Sequence, residues 1–346
     1  MSNPSTITIG IPVYNVERYI EKCILSALNQ SFDSYEIIVI DDFCRDKSIE
    51  IINSIKISHP KGNIIRIINH SQNCGVAEAR NTILDNAEGK YIFFLDSDDY
   101  IEKDALAQLY YYAEKYDAEA TYGSTFIING NNKTVYKRYA FKAFIKEDEF
   151  ATYIYSNVKS TIQTSAWNIL LRTSHLRKHN LRFPNMRVGE DFFFVNKLFD
   201  SLEKVVLTDC ITYNYVIRND SLSNYQSRDF IDIREVKNAL NRAQLLINDC
   251  KESENRKFFP DKCVYVMKQN IYVIFGILKH RHQLTEKISN MEIAKAAKHP
   301  AYLRQIIMFK RKKCTNLALL LFSKLPTSFI IGILTYVGKK KGYITI

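Results

Sequence analysis

The sequence has few of the residue patterns that mark disulfide frameworks, zinc sites or phosphate-binding glycine loops. Its seven cysteines are scattered and form no Cys-x-x-Cys pair; they are Cys23, Cys44, Cys74, Cys210, Cys250, Cys263 and Cys314. An odd, unpaired set predicts reduced thiols in a cytosolic protein and argues against a disulfide scaffold or a zinc site. Gly10 and Gly62 are the only glycines before Gly75, so the N-terminal region has no glycine-rich phosphate loop.

Leader patterns and long apolar segments are also missing. The N-terminal residues Met-Ser-Asn-Pro-Ser-Thr have neither a basic region nor an apolar run, so we expect no signal peptide. Near the other end, Leu317–Phe322 and Phe329–Val337 are apolar. Each is well short of the ~20 residues that a membrane-spanning helix needs. Together these features predict a cytoplasmic protein.

Acidic residues are absent after Glu292. The net charge of the sequence is +11, and residues 301–346 contain nine of its Lys and Arg residues. Basic clusters at Arg311–Lys313 and Lys339–Lys341 bracket the two apolar stretches, which fits peripheral attachment to anionic lipid. The same pattern also fits a buried pair of C-terminal helices with a solvated basic face. We expect no nucleic-acid partner, because no nucleic-acid-binding module is recognisable.

The first half of the sequence alternates between strand and helix patterns. Strands are expected at Ile7–Val13, Glu36–Ile40, Ile64–Ile68 and Tyr91–Leu95, and helices at Glu17–Gln30, Asp46–Ile57, Ala77–Ala87 and Ala105–Tyr116. This rhythm predicts an α/β fold with a mainly parallel sheet that has helices on both faces. Ligands of such sheets bind beyond the carboxyl ends of the strands, where Asn15, Asp41, Asp42 and Asp96–Asp99 fall. From Asp229 onward the pattern is helical.

The segment Tyr91–Asp99 is the most informative part of the sequence. Five apolar residues are followed at once by Asp96, Asp98 and Asp99. Carboxylates crowded at a strand end repel one another, and a hard divalent cation that carries a phosphorylated ligand relieves the repulsion. The alternative is a polar turn that closes a buried strand, because Asp and Ser are turn-forming residues.

Five segments resemble glycosyltransferase family 2, whose members invert the transferred sugar and have the GT-A fold. They are Ile11-Pro-Val-Tyr-Asn15, the stretch from Gln30 to Asp42, Asn73-Cys-Gly-Val-Ala-Glu-Ala-Arg-Asn81, Phe94-Leu-Asp-Ser-Asp-Asp99, and Gly189-Glu-Asp191 with Phe192–Phe199. One match alone is weak, but five in the family's order are specific. The resemblance implies a GT-A catalytic domain at 1–228, with a nucleotide-binding half at about 1–125 and an acceptor half at about 126–228. A helical extension would follow at 229–346, with a membrane-associating tail at about 301–346.

The resemblance also implies how the aspartates at the fourth strand divide their roles. Asp98 would hold Mn²⁺ or Mg²⁺, which bridges the two phosphates of a nucleotide-sugar donor as a Lewis acid. Asp96 would accept a hydrogen bond from the ribose, and Asp99 would cap the helix that follows.

Two further sets of residues are implied to bind the donor. Pro12, Tyr14 and Asn15 form the first loop against the base and ribose, with turn formation as the alternative role of Asn15. Asp41 and Asp42 lie where the family contacts the base, with Asp42 the better match, and a uracil N3–H suits a carboxylate acceptor.

The sequence departs from the family at the next position. The family continues Asp-Asp-Gly-Ser, whereas this chain has Phe43, Cys44 and Arg45, and loss of the glycine restricts the turn.

Asn73 and Arg80 complete the implied donor site. A guanidinium suits phosphate or ribose oxygens, and the alternative for Arg80 is a surface ion pair with Glu78 or Asp85. Arg218 is a further arginine that would approach the donor phosphates.

Asp191 is the candidate catalytic base, with Glu190 as its substitute. Inverting transfer needs a carboxylate that takes the proton of the acceptor hydroxyl while that oxygen attacks the anomeric carbon. The alternative is that the two acids stabilise the N-terminus of the helix that follows. Trp167, the only tryptophan, is equally consistent with a sugar-stacking platform and with core packing.

The implied function is transfer of a sugar, from a donor that is most consistent with a UDP-sugar, to a glycan or lipid-linked saccharide. Assembly of lipopolysaccharide, capsule or exopolysaccharide fits, with the protein at the inner face of the cell membrane. Two alternatives stay open: a sugar nucleotidyltransferase, and a catalytically silent GT-A module that binds carbohydrate or nucleotide.

Overall fold

The computed structural model describes residues 5–156, 162–186, 189–218 and 230–344. The chain divides into two compact units, one formed by residues 1–150 and 163–222 and the other by residues 151–162 and 223–346. The domain boundary predicted at residue 228 lies outside the described residues.

The N-terminal half of the first unit has the predicted alternation of strands and helices. Its elements are β1 (Ile7–Val13), α1 (Ile20–Leu28), β2 (Tyr35–Asp41), α2 (Ser48–Ser58), β3 (Ile65–Asn69), α3 (Val76–Asn86) and β4 (Tyr91–Phe94). β1 pairs in parallel with both β2 and β4, and β2 pairs in parallel with β3. Every residue of β1 is buried, as expected for a central strand with helices on both faces.

The second half of this unit completes the sheet with shorter and mixed elements. They are β5 (Tyr100–Ile101), α4 (Ala105–Lys115), β6 (Ala120–Asn129), β7 (Asn132–Lys137), β8 (Lys142–Phe144), β9 (Ile169–Arg172), α6 (Thr173–Lys178), α7 (Glu190–Ser201) and β10 (Val205–Val216). Between β8 and β9 lies α5 (Glu149–Ser156), which begins in this unit and continues into the second. The sheet order over the described residues is β3-β2-β1-β4-β9-β6-β10-β5, with β7 beside β6 and β8 beside β10. β9 runs antiparallel to β4 and β6, so the sheet is parallel in its first half and mixed overall.

The core of the first unit lies between this sheet and its helices. Alternate residues of β1, namely Ile7, Ile9, Ile11 and Val13, face the buried side of α1, which presents Ile20, Ile24 and Leu28. The i, i+4 spacing in α1 and the i, i+2 spacing in β1 place these apolar residues on facing surfaces. The core thereby holds the carboxyl ends of β1, β2 and β4 at one edge of the sheet.

The second unit is helical. Its helices are α8 (Ile233–Glu252), α9 (Phe259–Lys279), α10 (Asn290–Ala294), α11 (Leu303–Met308), α12 (Lys313–Ser323) and α13 (Thr327–Lys340). The start of α8 is capped by Asp232, whose side chain accepts a hydrogen bond from the backbone N–H of Arg234, and Pro260 lies in the first turn of α9.

The predicted C-terminal apolar stretches are α12 and α13. Ile330, Ile331 and Leu334 of α13 join a buried cluster with Ile274 and Phe275 of α9, so one face of this helix is packed into the unit. In the part of the chain that the structure describes, none of the helices combines the length and apolar character needed to cross a membrane.

Candidate active site

The parallel register brings the polar residues that follow β1, β2 and β4 to one edge of the sheet. Val13, the last residue of β1, pairs with Asp41, the last residue of β2. β4 ends at Phe94 on the other side of β1, so Asp96 and Asp98 follow at the same edge. The convergence predicted from the strand ends is therefore present.

Asp96, Asp98 and Asp99 form a cluster of carboxylates whose oxygens lie within 4.8 Å of one another. Burial raises the pKa of Asp99 well above its usual value, and the charges of Asp98 and Asp96 raise it further. Burial and the same three carboxylates raise the pKa of the Cys23 thiol. Such a surplus of negative charge, offered by oxygen ligands, fits a hard divalent cation such as Mn²⁺ or Mg²⁺.

Asp99 is bound to β10 and does not cap a helix. Its carboxylate accepts hydrogen bonds from the hydroxyl of Tyr213 at 2.8 Å and from the backbone N–H of Val216 at 2.7 Å. The helix that follows has Asp104 at its N-cap position. The prediction that Asp99 caps this helix is wrong, because a short strand, β5, intervenes and pairs with β10.

Arg218 lies beside the carboxylate cluster. Its Nε is 2.7 Å from an Asp98 oxygen, and both side chains are mostly buried. Arg218 follows the last residue of β10 by two positions, so the hydrogen bonds between Asp99 and β10 also hold this arginine near Asp98. In this structure the guanidinium places a positive charge beside Asp98.

Arg80 of α3 connects the carboxylate cluster to α7. One terminal nitrogen donates to Asp96 at 2.8 Å, and the other contacts Asp191 at 2.5 Å and Glu190 at 3.2 Å. Arg80 is only 2% exposed. Burial lowers the pKa of Arg80, but the charges of Asp191, Asp96 and Glu190 outweigh it and raise the pKa above its usual value, so the guanidinium stays charged.

The alternative that paired Arg80 with Glu78 or Asp85 is wrong. Asp85 pairs instead with Arg182, and the side chain of Arg80 points to the three carboxylates. Its partners Glu190 and Asp191 lie more than a hundred positions further along the chain, where no local helical spacing points to them.

Asp191 lies in the first turn of α7 with a side chain that is 21% exposed. Burial raises the pKa of Asp191 to about 7; the charge of Arg80 lowers it, and the charges of Glu190 and Asp96 raise it. The residue before this helix is Gly189, which has a φ of +87° and makes no side-chain cap. Glu190 is buried and Asp191 keeps an accessible edge, so Asp191 has the better access of the two acids.

The first loop and the loop after β2 are bound to each other. The side-chain oxygen of Asn15 accepts a hydrogen bond from the backbone N–H of Arg45 at 2.8 Å, and Asn15 itself has a φ of +50°. Tyr14 is exposed, whereas Pro12 is buried within β1 and does not reach the loop. Phe43 adopts the left-handed conformation, with a φ of +68°, at the position where the family has glycine.

Asp41 and Asp42 differ in what their carboxylates contact. Asp41 is half-buried and accepts from the backbone N–H of Cys44. Asp42 is buried, and its oxygens contact His70 Nδ1 and accept from the backbone N–H groups of Cys74 and Gly75, each at 2.8 Å. Asp42 thus anchors the start of α3, while Asn73 is exposed beside it. Base binding by these residues remains a prediction.

Two aromatic residues near the site are part of the core. Trp167 is 6% exposed and stacks on Tyr213 and Tyr215, with ring centroids 4.6 and 5.7 Å apart. The core-packing role of Trp167 is therefore the one that the structure supports. Tyr213 was not predicted as a site residue, although it accepts a hydrogen bond from the backbone N–H of Asp96 and donates one to Asp99.

His175 and His179 have a helical spacing that metal-binding pairs also use, but both ring nitrogens of His175 have other partners. His175 Nε2 is 2.9 Å from the Ser201 hydroxyl, and its Nδ1 is 3.2 Å from Glu119. Among the described residues, no third His, Cys, Asp or Glu ligand atom lies within 4.8 Å of both.

Comparison with known proteins identifies the family of this chain. The family model for glycosyl transferase family 2 matches residues 8–179. An uncharacterized glycosyltransferase of Haemophilus influenzae is 31% identical over 240 residues, which cover 69% of this chain and 84% of that protein. The poly(ribitol-phosphate) beta-glucosyltransferase of Bacillus spizizenii is 30% identical over 218 residues, or 62% of this chain, and the chain spans only 32% of its length.

Similarity to solved structures concerns the fold. The crystal structure of Staphylococcus aureus TarS 1-349 in complex with UDP-GlcNAc is similar with a TM-score of 0.64 at 16% identity, over 97% of this chain and 92% of that one. Together with the family match and the Haemophilus relative, this places the sheet and its edge in the GT-A fold. The chain therefore belongs to glycosyltransferase family 2.

Proposed function

We propose that the chain transfers a sugar, with inversion, from a UDP-sugar to a saccharide or lipid-linked saccharide in cell-surface polysaccharide assembly. The single observation that carries the proposal is the shared contact of Arg80 with Asp96 and Asp191. One buried cation joins the carboxylate cluster, where a diphosphate would leave, to the carboxylate that would take a proton from the acceptor. Binding of nucleotide or carbohydrate alone does not require this connection.

Each residue has a defined part in the proposed reaction. The acceptor hydroxyl oxygen forms a bond to the anomeric carbon while the bond from that carbon to the diphosphate oxygen breaks, and the electron pair leaves with the diphosphate. The hydroxyl proton passes to the carboxylate of Asp191, whose pKa of about 7 makes it a stronger base than an ordinary Asp. Arg80 orients that carboxylate, and Glu190 accepts a hydrogen bond from the same terminal nitrogen of Arg80.

The donor would bind along the sheet edge. Asp98 would hold Mn²⁺ or Mg²⁺, which when bound supplies Lewis-acid neutralisation of the diphosphate. Asp96 would face the ribose. Tyr14, Asn15, Asp41 and Asn73 would line the nucleotide, and Pro12 and Asp42 would contribute indirectly. Of these, Pro12 and Asp42 are buried and would shape the site through the backbone that they support.

The acceptor class rests on similarity and on composition. The Bacillus relative is named for glucosylation of poly(ribitol phosphate), which supports an anionic cell-surface polymer as acceptor, although this chain spans about a third of that protein. The basic segment 301–346 supports a location at the inner face of the cell membrane, where lipid-linked saccharides are held.

A panel of nucleotide sugars with Mn²⁺ and saccharide acceptors tests the proposal. Wild-type protein should release free nucleotide from at least one UDP-sugar, and Asp191→Asn should abolish release while the donor still binds. Asp85→Asn, which removes an exposed carboxylate on α3, should keep full activity. Release of pyrophosphate from UTP and a sugar phosphate, or unchanged transfer by Asp191→Asn, would overturn it.

A further inference from the structure

The C-terminal helices α12 and α13 each have a second apolar stripe that faces solvent. On α12, Cys314, Leu317, Ala318 and Leu321 are exposed at the i, i+3, i+4, i+7 spacing of one helix face, and Leu321 is 62% exposed. On the opposite face, Asn316 is fully buried. A helix that packs against its own unit through one face does not need a second apolar face.

The same arrangement recurs on α13. Phe329, Ile333 and Tyr336 are exposed along one face, with Phe329 62% and Tyr336 67% exposed. Ile330 and Leu334 lie on the other face and belong to the buried cluster of the unit. Each helix packs on the second unit, and each leaves an apolar stripe uncovered within the described residues.

Lysines stand at the ends of both stripes. Lys313 begins α12, Lys324 lies between the helices, and Lys339, Lys340 and Lys341 end α13, all of them exposed. No acidic residue occurs between residues 293 and 346. We define the docking face as Leu317, Leu321, Phe329, Ile333 and Tyr336, together with these five lysines.

We infer that the docking face binds the surface of an anionic phospholipid bilayer, with α12 and α13 lying in the plane of the interface. The apolar side chains would enter the acyl boundary, Tyr336 would sit at headgroup level, and the lysines would contact lipid phosphates. Neither helix is long and apolar enough to span the bilayer. This inference goes beyond the proposed transfer reaction and does not depend on it.

Other occupants match the docking face less well. A second copy of the chain would bring five lysines against five lysines, and nothing acidic in either face would compensate the repulsion. A nucleic acid would match the charge but would leave the exposed leucine, isoleucine and phenylalanine side chains without an apolar partner. An anionic bilayer is the occupant that satisfies both the apolar stripes and the charge.

Co-sedimentation of the full chain with vesicles tests the inference. Wild-type protein should bind vesicles of phosphatidylcholine with phosphatidylglycerol and not vesicles of phosphatidylcholine alone. The triple variant Leu321→Ser, Phe329→Ser, Ile333→Ser should bind at least about tenfold more weakly, because the change removes apolar insertion. The matched control Ile57→Ser, Tyr111→Ser, Ile145→Ser removes three exposed apolar residues of the first unit and should bind as wild type does.

A second pair of variants isolates the charge. Lys339→Gln, Lys340→Gln, Lys341→Gln should weaken binding, whereas Lys47→Gln, Lys103→Gln, Lys178→Gln, which has the same net charge, should not. Substitutions are preferable to deletion of residues 311–346, because that deletion would remove the buried residues Ile330, Ile331 and Leu334 and unfold the unit.

Three results would overturn the inference. Wild-type protein could stay in the supernatant with anionic vesicles, or the docking-face variants could bind as tightly as their controls. The third is that the wild-type protein is a dimer and the serine variant is a monomer. Transfer to a soluble saccharide should be equal in wild type and the serine variant. Failure of the membrane inference is therefore distinct from failure of the proposed reaction.

Discussion

Arg80 is the residue on which most of the site depends. A guanidinium that is 2% exposed would be costly to bury alone, and three carboxylates from two further parts of the chain compensate its charge. The reverse is also true, because Asp96, Glu190 and Asp191 would repel one another without it. The ion pairs therefore set the distance between α7 and the end of β4.

Removal of this cation should destabilise the first unit strongly. Arg80→Gln leaves three carboxylates in a mostly buried site, and loss of one partner from a buried ion pair costs about 3–5 kcal/mol. Urea unfolding followed by the fluorescence of Trp167, the only tryptophan and a core residue of this unit, measures the loss. Arg182→Gln removes an exposed partner of Asp85 and should cost under ~1 kcal/mol. Equal losses in the two variants would contradict the role given to Arg80.

The pKa of Asp191 predicts how transfer depends on pH. Because the folded-state pKa is raised to about 7, the carboxylate is protonated below that pH and cannot accept the acceptor proton. The rate should rise with pH through about 7 and then level off. The pKa of Asp191 is higher in the folded state than in the unfolded state, so the unfolded carboxylate loses its proton first as the pH rises. Asp191 therefore stabilises the folded state less and less between about pH 4 and pH 7.

Initial rates between pH 5.5 and 8.5 check this expectation. Asp191→Glu should keep a rising limb at a shifted pH, and Asp85→Asn should leave the limb in place. A wild-type rate that is independent of pH across this range would contradict proton transfer to Asp191.

At the residue scale, the sequence indicated which side chains reach the sheet edge but not which of them touch. Asp98, Arg80 and Asp191 were identified from short motifs, and all three lie at or next to this edge. The contact between Arg80 and Asp191 joins residues 111 positions apart, and neither helical periodicity nor turn chemistry contains such information. For the same reason the sequence did not indicate that Asp99 binds β10, and the prediction that it caps a helix was wrong.

β10 is the element that completes the carboxylate cluster. Its Tyr213 hydroxyl and Val216 backbone N–H both bind Asp99, and Arg218 follows just beyond its end. The pKa of Tyr213 is raised, chiefly by burial and further by the charges of Asp99 and Asp96. Its phenol therefore stays protonated and donates a hydrogen bond to Asp99. This strand therefore helps to position the Arg218 guanidinium beside Asp98.

Arg218 and a divalent cation should compete for Asp98. Arg218→Gln removes the resident positive charge, so Mn²⁺ alone, in the absence of nucleotide, should bind about tenfold more tightly, or by about 1.4 kcal/mol. Calorimetric titration with MnCl₂ measures the change. Arg234→Gln, which removes an exposed arginine of the second unit, should leave the affinity unaltered. Unchanged or weaker Mn²⁺ binding by Arg218→Gln would contradict the competition.

The first four strands and their helices could be predicted nearly to the residue, whereas β5 to β10 could not. β1 matched its predicted bounds because its run of β-branched residues is continuous. α1 was found within its predicted range, Glu17–Gln30, because its apolar residues repeat with helical spacing, but it begins three residues later and ends two residues earlier. β10 pairs with β5, β6 and β8, and its register with β6 shifts twice. Pairings of this kind depend on contacts between distant segments, which local patterns do not record.

At the scale of the whole molecule, the candidate active site and the basic segment lie in different units of the chain. The first unit carries the GT-A sheet and the carboxylates, whereas the second carries the run of residues without acids and the docking face. The composition predicted the basic segment, but only the structure shows that α12 and α13 have one buried and one exposed apolar face. A hydrophobic pattern alone does not distinguish a helix that is covered on one side from one that is covered on both.

The central claim is that Asp98 and its neighbours hold a divalent cation that supports binding of a nucleotide-sugar diphosphate. Calorimetric titration of the wild-type protein with UDP-glucose, UDP-N-acetylglucosamine and GDP-mannose, with and without Mn²⁺, tests it most directly. We predict that Mn²⁺ raises the affinity for at least one UDP-sugar in the wild type and in Asp85→Asn, and not in Asp98→Asn. A folded wild-type protein whose affinity for every one of these donors is the same with and without Mn²⁺ would contradict the claim.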